Sequence, residues 1–510
     1  MRHFLFCLLV YTICSIQVHS LSPAHAAERP SYGKLFRVRG GFVQKDAKIA
    51  PSAMHTKDMM ADDRSKVSET VRKLLPLYVV FALDCIAVGL VSPILPFFTN
   101  SLGASISQHT AIISIQNVAQ MLGCLVFGSL SDRLGRLPIL VACTSASTLS
   151  FFAMSRSTSP KHVLFSRLIS GAFGGLLPVV QSCVTDVTDE HDRPAYLGRI
   201  TATFGLGFVF GPMLSALLSS ATDLSTRMKI RVAGMLPALA VVISVMFVRE
   251  TLQRPAQIGE KASSKDLSQI EYEDGIAAVT ETSTKITNDD EVTTEPVIAT
   301  ETNNSTKLLV LNGFLLMFAF GTETVYAMLM KDSFQYGEKA LSLLFAGSGA
   351  AIGVLQAFFA KPIINCLGKH NTLALGELVL SAGMVGIALI RNKVLHFIIF
   401  GIHIIAHSLA DTSLVSLLVH YSTPSTRGRD LSLNAAAQAC ARIISPLLAG
   451  KIYEMQKNSP EMLPMLPIGA LPFIIGAVFP LLAGGIAIYL EGMRLIAKRQ
   501  TKSVEAVVSL

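Results

Sequence analysis

The sequence predicts an all-α integral membrane protein with 12 transmembrane helices arranged as two six-helix, pseudo-symmetric bundles. Three observations carry this expectation. The 510 residues are 51% hydrophobic and only 15% charged, with a mean hydropathy of +0.51, where a soluble protein carries about 25% charged residues. The apolar residues collect in runs of about 20, the length at which a helix crosses a bilayer. The runs fall into two sets of six with a polar stretch between them.

The first set is expected near 74–99, 109–131, 137–155, 163–185, 200–220 and 232–248, and the second near 308–330, 340–361, 372–391, 394–420, 430–452 and 467–490. The N-terminal bundle then occupies 74–248, the C-terminal bundle 307–492 and a basic tail 493–510. Residues 249–306 hold 12 acidic and 5 basic side chains and are rich in Thr. Such a stretch buries too little apolar surface to fold alone and reads as a disordered cytoplasmic linker.

Residues 1–26 read as a signal or targeting peptide, with basic Met1-Arg2-His3, apolar Phe4 to Ile16 and the cleavage candidate Ala24-His25-Ala26. The mildly basic stretch 27–73 is a possible transit segment. Entry by an N-terminal signal leaves the endomembrane or plasma membrane and a plastid envelope open as destinations.

This composition excludes a soluble enzyme, a secreted disulfide module and a nucleic-acid binder. The net charge of +8 is better read as Lys and Arg flanking the membrane than as a nucleic-acid patch. The loop near 100–108 has no Lys or Arg, whereas Arg133, Arg136, Arg193, Arg199, Arg427 and Arg429 sit at the other ends of the spans. That bias places both ends of the bundle and the linker in the cytosol or its equivalent. Arg227, Lys229 and Arg231 run against it, in what reads as a short loop on the opposite face. The 8 Cys lack metal-ligand spacing, and no phosphate loop or nucleophile elbow is present. No cofactor and no metal are therefore expected, and uphill transport would draw on an ion gradient.

Four segments carry mechanism. The turn Gly128-Ser129-Leu130-Ser131-Asp132-Arg133-Leu134-Gly135-Arg136 combines glycines for close approach and a tight turn with charges that can pair across helix ends. Its faint repeat in the second half is Leu367-Gly368-Lys369. In the fourth span, Leu164-x-x-Arg167-x-x-Ser170-Gly171 places a guanidinium where it needs a partner or a wet cavity. The fifth span sets Gly198, Gly207, Gly211-Pro212 and Ser215-Ala216 at spacings that suit close packing and a bend. In the first span Asp84 stands in an apolar run, where desolvation favours a carboxyl's neutral form; it could instead be a structural carboxylate.

These segments together resemble the major facilitator superfamily, most closely its 12-helix drug/proton antiporters of the tetracycline-resistance type. The resemblance covers about 74–495 and is strongest in the first half. It implies that Gly128, Asp132, Arg133, Gly135 and Arg136 form a gating latch, with Leu137 departing from the usual basic residue. It also implies that Gly198, Gly207, Gly211 and Pro212 form the antiporter-motif helix, with Ser215-Ala216 in place of Gly-Gly, and that Arg167 tunes proton coupling. In the second half the ionisable residues inside spans are Glu323, Glu377, Asp411 with His403 and His407, and Arg442, each a proton-coupling or substrate candidate because charge inside lipid is costly. Glu323 is the preferred second acid, Glu377 could mark a helix end, and Asp411 could pair with Arg442.

The function expected is secondary active transport by alternating access, as proton-coupled efflux of a small organic solute or drug. A uniporter or symporter for a metabolite, and a non-transporting receptor or scaffold built on the linker, stay open. Expected partners are a small solute, protons and the lipid bilayer, with no nucleic acid; the family's usual form implies a monomer.

Overall fold

The computed structural model describes residues 53–189, 192–221, 224–252, 295–423, 426–459, 461 and 464–508. The targeting segment 1–26, the start of the basic stretch that follows it and linker residues 253–294 lie outside the described residues. Among the described residues every regular element is helical. Residues 64–510 form one compact unit.

The N-terminal half comprises α1 (Ala53–Val91), α2 (Leu95–Ser101), α3 (Ile106–Leu134), α4 (Arg136–Ser155), α5 (Pro160–Ala172), α6 (Leu176–Val187), α7 (Arg193–Ala221) and α8 (Thr226–Phe247). α5 and α6 are two pieces of one span, Pro160–Val187. The C-terminal half comprises α9 (Glu295–Thr322), α10 (Tyr326–Phe334), α11 (Glu338–Val354), α12 (Ala360–Leu367), α13 (Lys369–Leu389), α14 (Lys393–Tyr421), α15 (Arg427–Asn458) and α16 (Leu471–Val508). α9 starts inside the stretch expected as linker, with Pro296 in its first turn, where a fixed φ suits helix initiation. Arg227, Lys229 and Arg231 belong to α8 rather than to a loop, because Ser225 caps that helix at the Met228 N–H.

Among the described residues ten helical stretches are long and apolar enough to cross a membrane. The two other expected spans fall short for physical reasons. α11 is 17 residues long and passes into α12 through a π-helical segment at Leu355–Phe359. α15 is 32 residues long but carries Arg427, Arg429, Asp430, Arg442, Lys451, Glu454 and Lys457. Both line the seam between the bundles, α11 against α7 and α15 against α3, where protein and cavity rather than lipid surround their polar groups.

Each bundle has its own core. In the first, Tyr78, Phe81, Leu140, Val179 and Tyr196 pack near one end, and Leu90, Ile94, Phe151 and Ile230 near the other. In the second, Tyr326, Leu380, Met384, Phe400, Leu417, Tyr453 and Phe473 form a continuous cluster. Large apolar side chains such as Met246 (69% exposed) and Phe358 (70% exposed) face outward, as a lipid-immersed surface requires. The chain is an integral multi-pass membrane protein.

α1 and α7 touch backbone to backbone. A Cβ on Gly207 would strike Cys85, and one on Gly211 would strike the backbone of Gly89 and Leu90. The expectation of close packing is met there and corrected elsewhere, since a Cβ on Gly128 or Gly198 would meet nothing within 4 Å. Gly135 and Gly368, the two members of the faint repeat, adopt matching conformations (φ 111°, ψ 155° and φ 83°, ψ 151°). Each ends one helix and starts the next with a positive φ that side chains disfavour.

Candidate functional site

The bundles are joined at the end away from Gly135. Glu454 on α15 accepts the Ser107 N–H (3.1 Å) and the Ser105 hydroxyl (3.2 Å), covering the N-terminus of α3. Lys229 Nζ donates to Glu338 Oε2 at 2.8 Å and Thr226 Oγ1 to Glu338 Oε1 at 2.7 Å, linking α8 to α11. Ser215 and Ser342 hydroxyls meet at 2.9 Å. Ser215, where the sequence departs from the antiporter pattern, thus supplies a bond across the seam. Deeper, Asn117 Nδ2 donates to the Arg442 carbonyl at 2.9 Å. These bonds across the seam lie at the end away from Gly135 or, with Asn117, deeper between the bundles.

At the Gly135 end the latch residues form a cluster within the N-terminal bundle. Arg136 donates from Nε to Asp186 (2.9 Å) and from Nη1 to Asp132 (2.6 Å) and Ser131 Oγ (2.7 Å). Arg133 is exposed and, among the described residues, takes no part in an ion pair, which corrects the expectation that both arginines bridge helix ends. Glu250, just past α8, accepts the backbone N–H groups of Arg136 (2.9 Å) and Leu137 (3.1 Å). Burial alone would raise its carboxyl, but the N–H groups of Leu252, Arg136 and Leu137 outweigh this and hold it below the usual glutamate range. This anchor was not read from the sequence; its signal is an acid directly after an apolar span.

Inside the N-terminal bundle, the half-buried Asp84 accepts the Ser147 hydroxyl at 2.6 Å. Arg167 is 3% exposed, its guanidinium 4.9 Å from the Phe151 ring centre and close enough to act on Asp84 electrostatically. Its Nε and Nη2 have no hydrogen-bond partner, so Arg167 neighbours the acid without an ion pair.

The C-terminal bundle places its candidates along α14. The helix of the seventh span breaks into a 3-10 turn at Glu323–Val325, a local rewinding that often marks a functional position. Glu323 Oε1 there lies 2.6 Å from His403 Nε2, while His403 Nδ1 faces the Leu380 carbonyl at 3.3 Å. One turn further, His407 stacks on Phe320 with ring centres 4.7 Å apart. One turn beyond, Asp411 accepts Gln438 Nε2 at 3.4 Å. Glu323, His403, His407 and Asp411 thus form a file. The Asp411–Arg442 ion pair, one of the two readings left open by the sequence, is not formed among the described residues; Gln438 meets Asp411 instead, and Arg442 is exposed on the seam. Glu377 stands apart. It is fully buried in the middle of α13 rather than at a helix end, beside Asn312 of α9.

The sequence profile described as the Major Facilitator Superfamily matches residues 77–446 and 309–506. The chain belongs to that superfamily. It is similar to the tetracycline resistance protein, class H, of Pasteurella multocida, 30% identical over 193 residues, which are 37% of this chain and 48% of that protein. The chain therefore spans about half the length of that relative. It is also similar to the quinolone resistance protein NorA of Staphylococcus aureus, 23% identical over 399 residues, 76% of this chain and 92% of NorA. Among solved structures, a bacterial homolog of the human lysosomal transporter Spinster, in an inward-facing and unoccupied conformation, superposes with a TM-score of 0.60 at 13% identity, over 84% of this chain and 97% of that one. The likeness shows the fold.

Proposed function

We propose that the protein exports a small organic solute in exchange for protons, by alternating access between the two bundles. The observation that carries this reading is the Glu323–His403 contact at 2.6 Å. His403 Nδ1 faces a carbonyl and so bears a hydrogen. Either Nε2 also bears one against an ionised Glu323, or Glu323 donates to a bare Nε2. Both arrangements hold one proton between the two side chains, which are 13% (Glu323) and 1% (His403) exposed. Asp84 in the other bundle is the second acid, held by Ser147, with the Arg167 guanidinium nearby. The similarity to tetracycline and quinolone resistance proteins supports drug-like solutes.

The bonds that close the Ser105–Glu454 and Lys229–Glu338 end support a conformation open toward the latch. The charge bias of the loops supports placing that side in the cytosol. The test is collapse of an imposed pH gradient in liposomes carrying the purified protein, evoked by tetracyclines, cationic drugs or organic acids. Proton flux that requires solute and is lost in Asp84→Asn and Glu323→Gln is the expected result. Solute flux without proton movement would overturn the coupling.

A further inference from the structure

The C-terminal bundle has a cavity of about 530 Å³ at the latch end, walled by Lys369 at the start of α13, Arg427 at the start of α15, and Thr412, Val415, Val419 and His420 of α14. Its location follows from the antiparallel pairing of α3 and α15. Glu454 meets Ser107 and Arg442 meets Asn117, so Arg427 lies beyond, where α3 ends. Three of the wall residues are basic and none is acidic. Neither Lys369 nor Arg427 forms an ion pair among the described residues, and the nearby Asp430 is taken by Arg429 at 3.3 Å. Gln356, on the π-helical segment, donates to Thr412 Oγ1 at 3.0 Å and Ser408 Oγ at 2.6 Å, and the adjacent residue is Asp411.

We propose that this cavity is a vestibule that binds the carboxylate or phosphate group of an organic anion, making such anions the solute class that the transporter takes from the latch side. The proposal rests on the transport reading above and adds the charge of the solute. A guanidinium presents paired donors that fit a planar or tetrahedral oxyanion, and an ammonium adds a point charge beside it. Low-dielectric walls concentrate the field of like charges in a cleft. Val415 and Val419 offer an apolar side for the carbon skeleton. Basic residues at helix ends also serve membrane orientation, but Lys361 and Arg429 do that without facing the cavity.

Equilibrium binding to the full chain in phosphatidylcholine nanodiscs tests this, using three probes of one shape: 1-naphthoate, 1-naphthalenemethanol and 1-naphthylmethylamine. The chain has no Trp, so naphthalene fluorescence reads binding directly. The acid is expected to bind about tenfold more tightly than the alcohol or the amine. Lys369→Gln and Arg427→Gln should each weaken the acid about fivefold, as for a partly exposed charge contact of about 1 kcal/mol, and leave the alcohol unchanged. That unchanged affinity also certifies the fold of each variant. Equal binding of the three probes, or equal weakening by Lys361→Gln and Arg429→Gln, would overturn the proposal. Discs enriched in phosphatidylglycerol separate solute from lipid headgroup: unchanged naphthoate affinity supports a solute site, and displacement of naphthoate by the lipid overturns it. Because no transport is read, a failed proton-coupling test leaves this result standing.

Discussion

Glu323 Oε1 and His403 Nε2 lie 2.6 Å apart inside the C-terminal bundle, on a 3-10 turn and a facing helix. A contact this short inside a membrane domain ties the two side chains together, and breaking one side leaves the other polar group without its partner. His403→Asn is expected to lower solute-driven proton flux by about tenfold or more while solute binding remains. Glu323→Gln should do the same, and the double variant should be no worse than either single one if the two act as a unit. Reconstituted flux assays on the four proteins decide it; additive losses would mean separate roles.

The α1–α7 contact separates packing glycines from incidental ones. Gly207→Val and Gly211→Val place side-chain atoms into the Cys85 and Gly89 backbone, and are expected to destabilise the fold by about 1–3 kcal/mol or more, as overpacking does. Gly198→Ala and Gly128→Ala meet open space and should be neutral or stabilising by up to about 1 kcal/mol, because Ala is the better helix former. Thermal unfolding in detergent, followed by circular dichroism, gives the ranking.

The sequence and the structure part company in an instructive way at these positions. The twelve spans were legible because lipid imposes one length and one composition on every helix it surrounds. The two weakest spans, α11–α12 and α15, were weak because seam helices contact protein and water. The glycine spacing of the fifth span marked a close-packing face, but spacing alone gives no partner, so Gly198 could not be told from Gly211. The acids were found by their cost in lipid. Their partners Ser147 and Gln438 were not, since a hydroxyl or amide in a membrane helix costs little and stands out from nothing. Asp411 and Arg442 have opposite charges and lie on facing helices, yet Gln438 is one turn closer to the acid.

Arg136 is 8% exposed at its side chain, and its two acids differ: Asp186 is 23% exposed and Asp132 61%. A charge pair weakens as water reaches it. Asp186→Asn is therefore expected to loosen the latch more than Asp132→Asn, although Asp132 makes the shorter bond. Arg136→Gln should exceed both, since it frees two carboxylates and Ser131 together. Accessibility of a cysteine placed at Leu137 to a membrane-impermeant maleimide reports the loosening; equal labelling of the two aspartate variants would show that exposure does not rank them.

Glu250 gives the latch a pH dependence of known sign. Its folded carboxyl lies below the unfolded value near 4.5, so its contribution is fully present above that value and is lost as pH falls through the lower folded value. Amide exchange at Arg136 and Leu137 should therefore stay slow at neutral pH and accelerate, beyond the intrinsic trend, only in the acid range below about 4.5. Glu250→Gln should show fast exchange at every pH. Protection of both amides in that variant at neutral pH would assign the anchor to another group.

Lys229 and Glu338 join the bundles at the end away from the latch, 2.8 Å apart, with side chains 8% and 21% exposed. Removing one partner of such a shielded pair strands a charge, at a cost of up to about 3–5 kcal/mol when fully buried. That cost falls only on the conformation in which α8 and α11 meet, because Lys229 regains water once the bundles part. Lys229→Met and Glu338→Gln are therefore expected to shift the population toward the opposite opening rather than unfold the protein. Charge exchange, Lys229→Glu with Glu338→Lys, should return the population toward that of the parent. Crosslinking of cysteines at Ser107 and Lys451, placed across the same closed end, reads the shift: yield should fall in each single variant and recover in the exchanged pair. Unchanged yield in the single variants would mean that the Ser105–Glu454 bonds hold this end shut on their own.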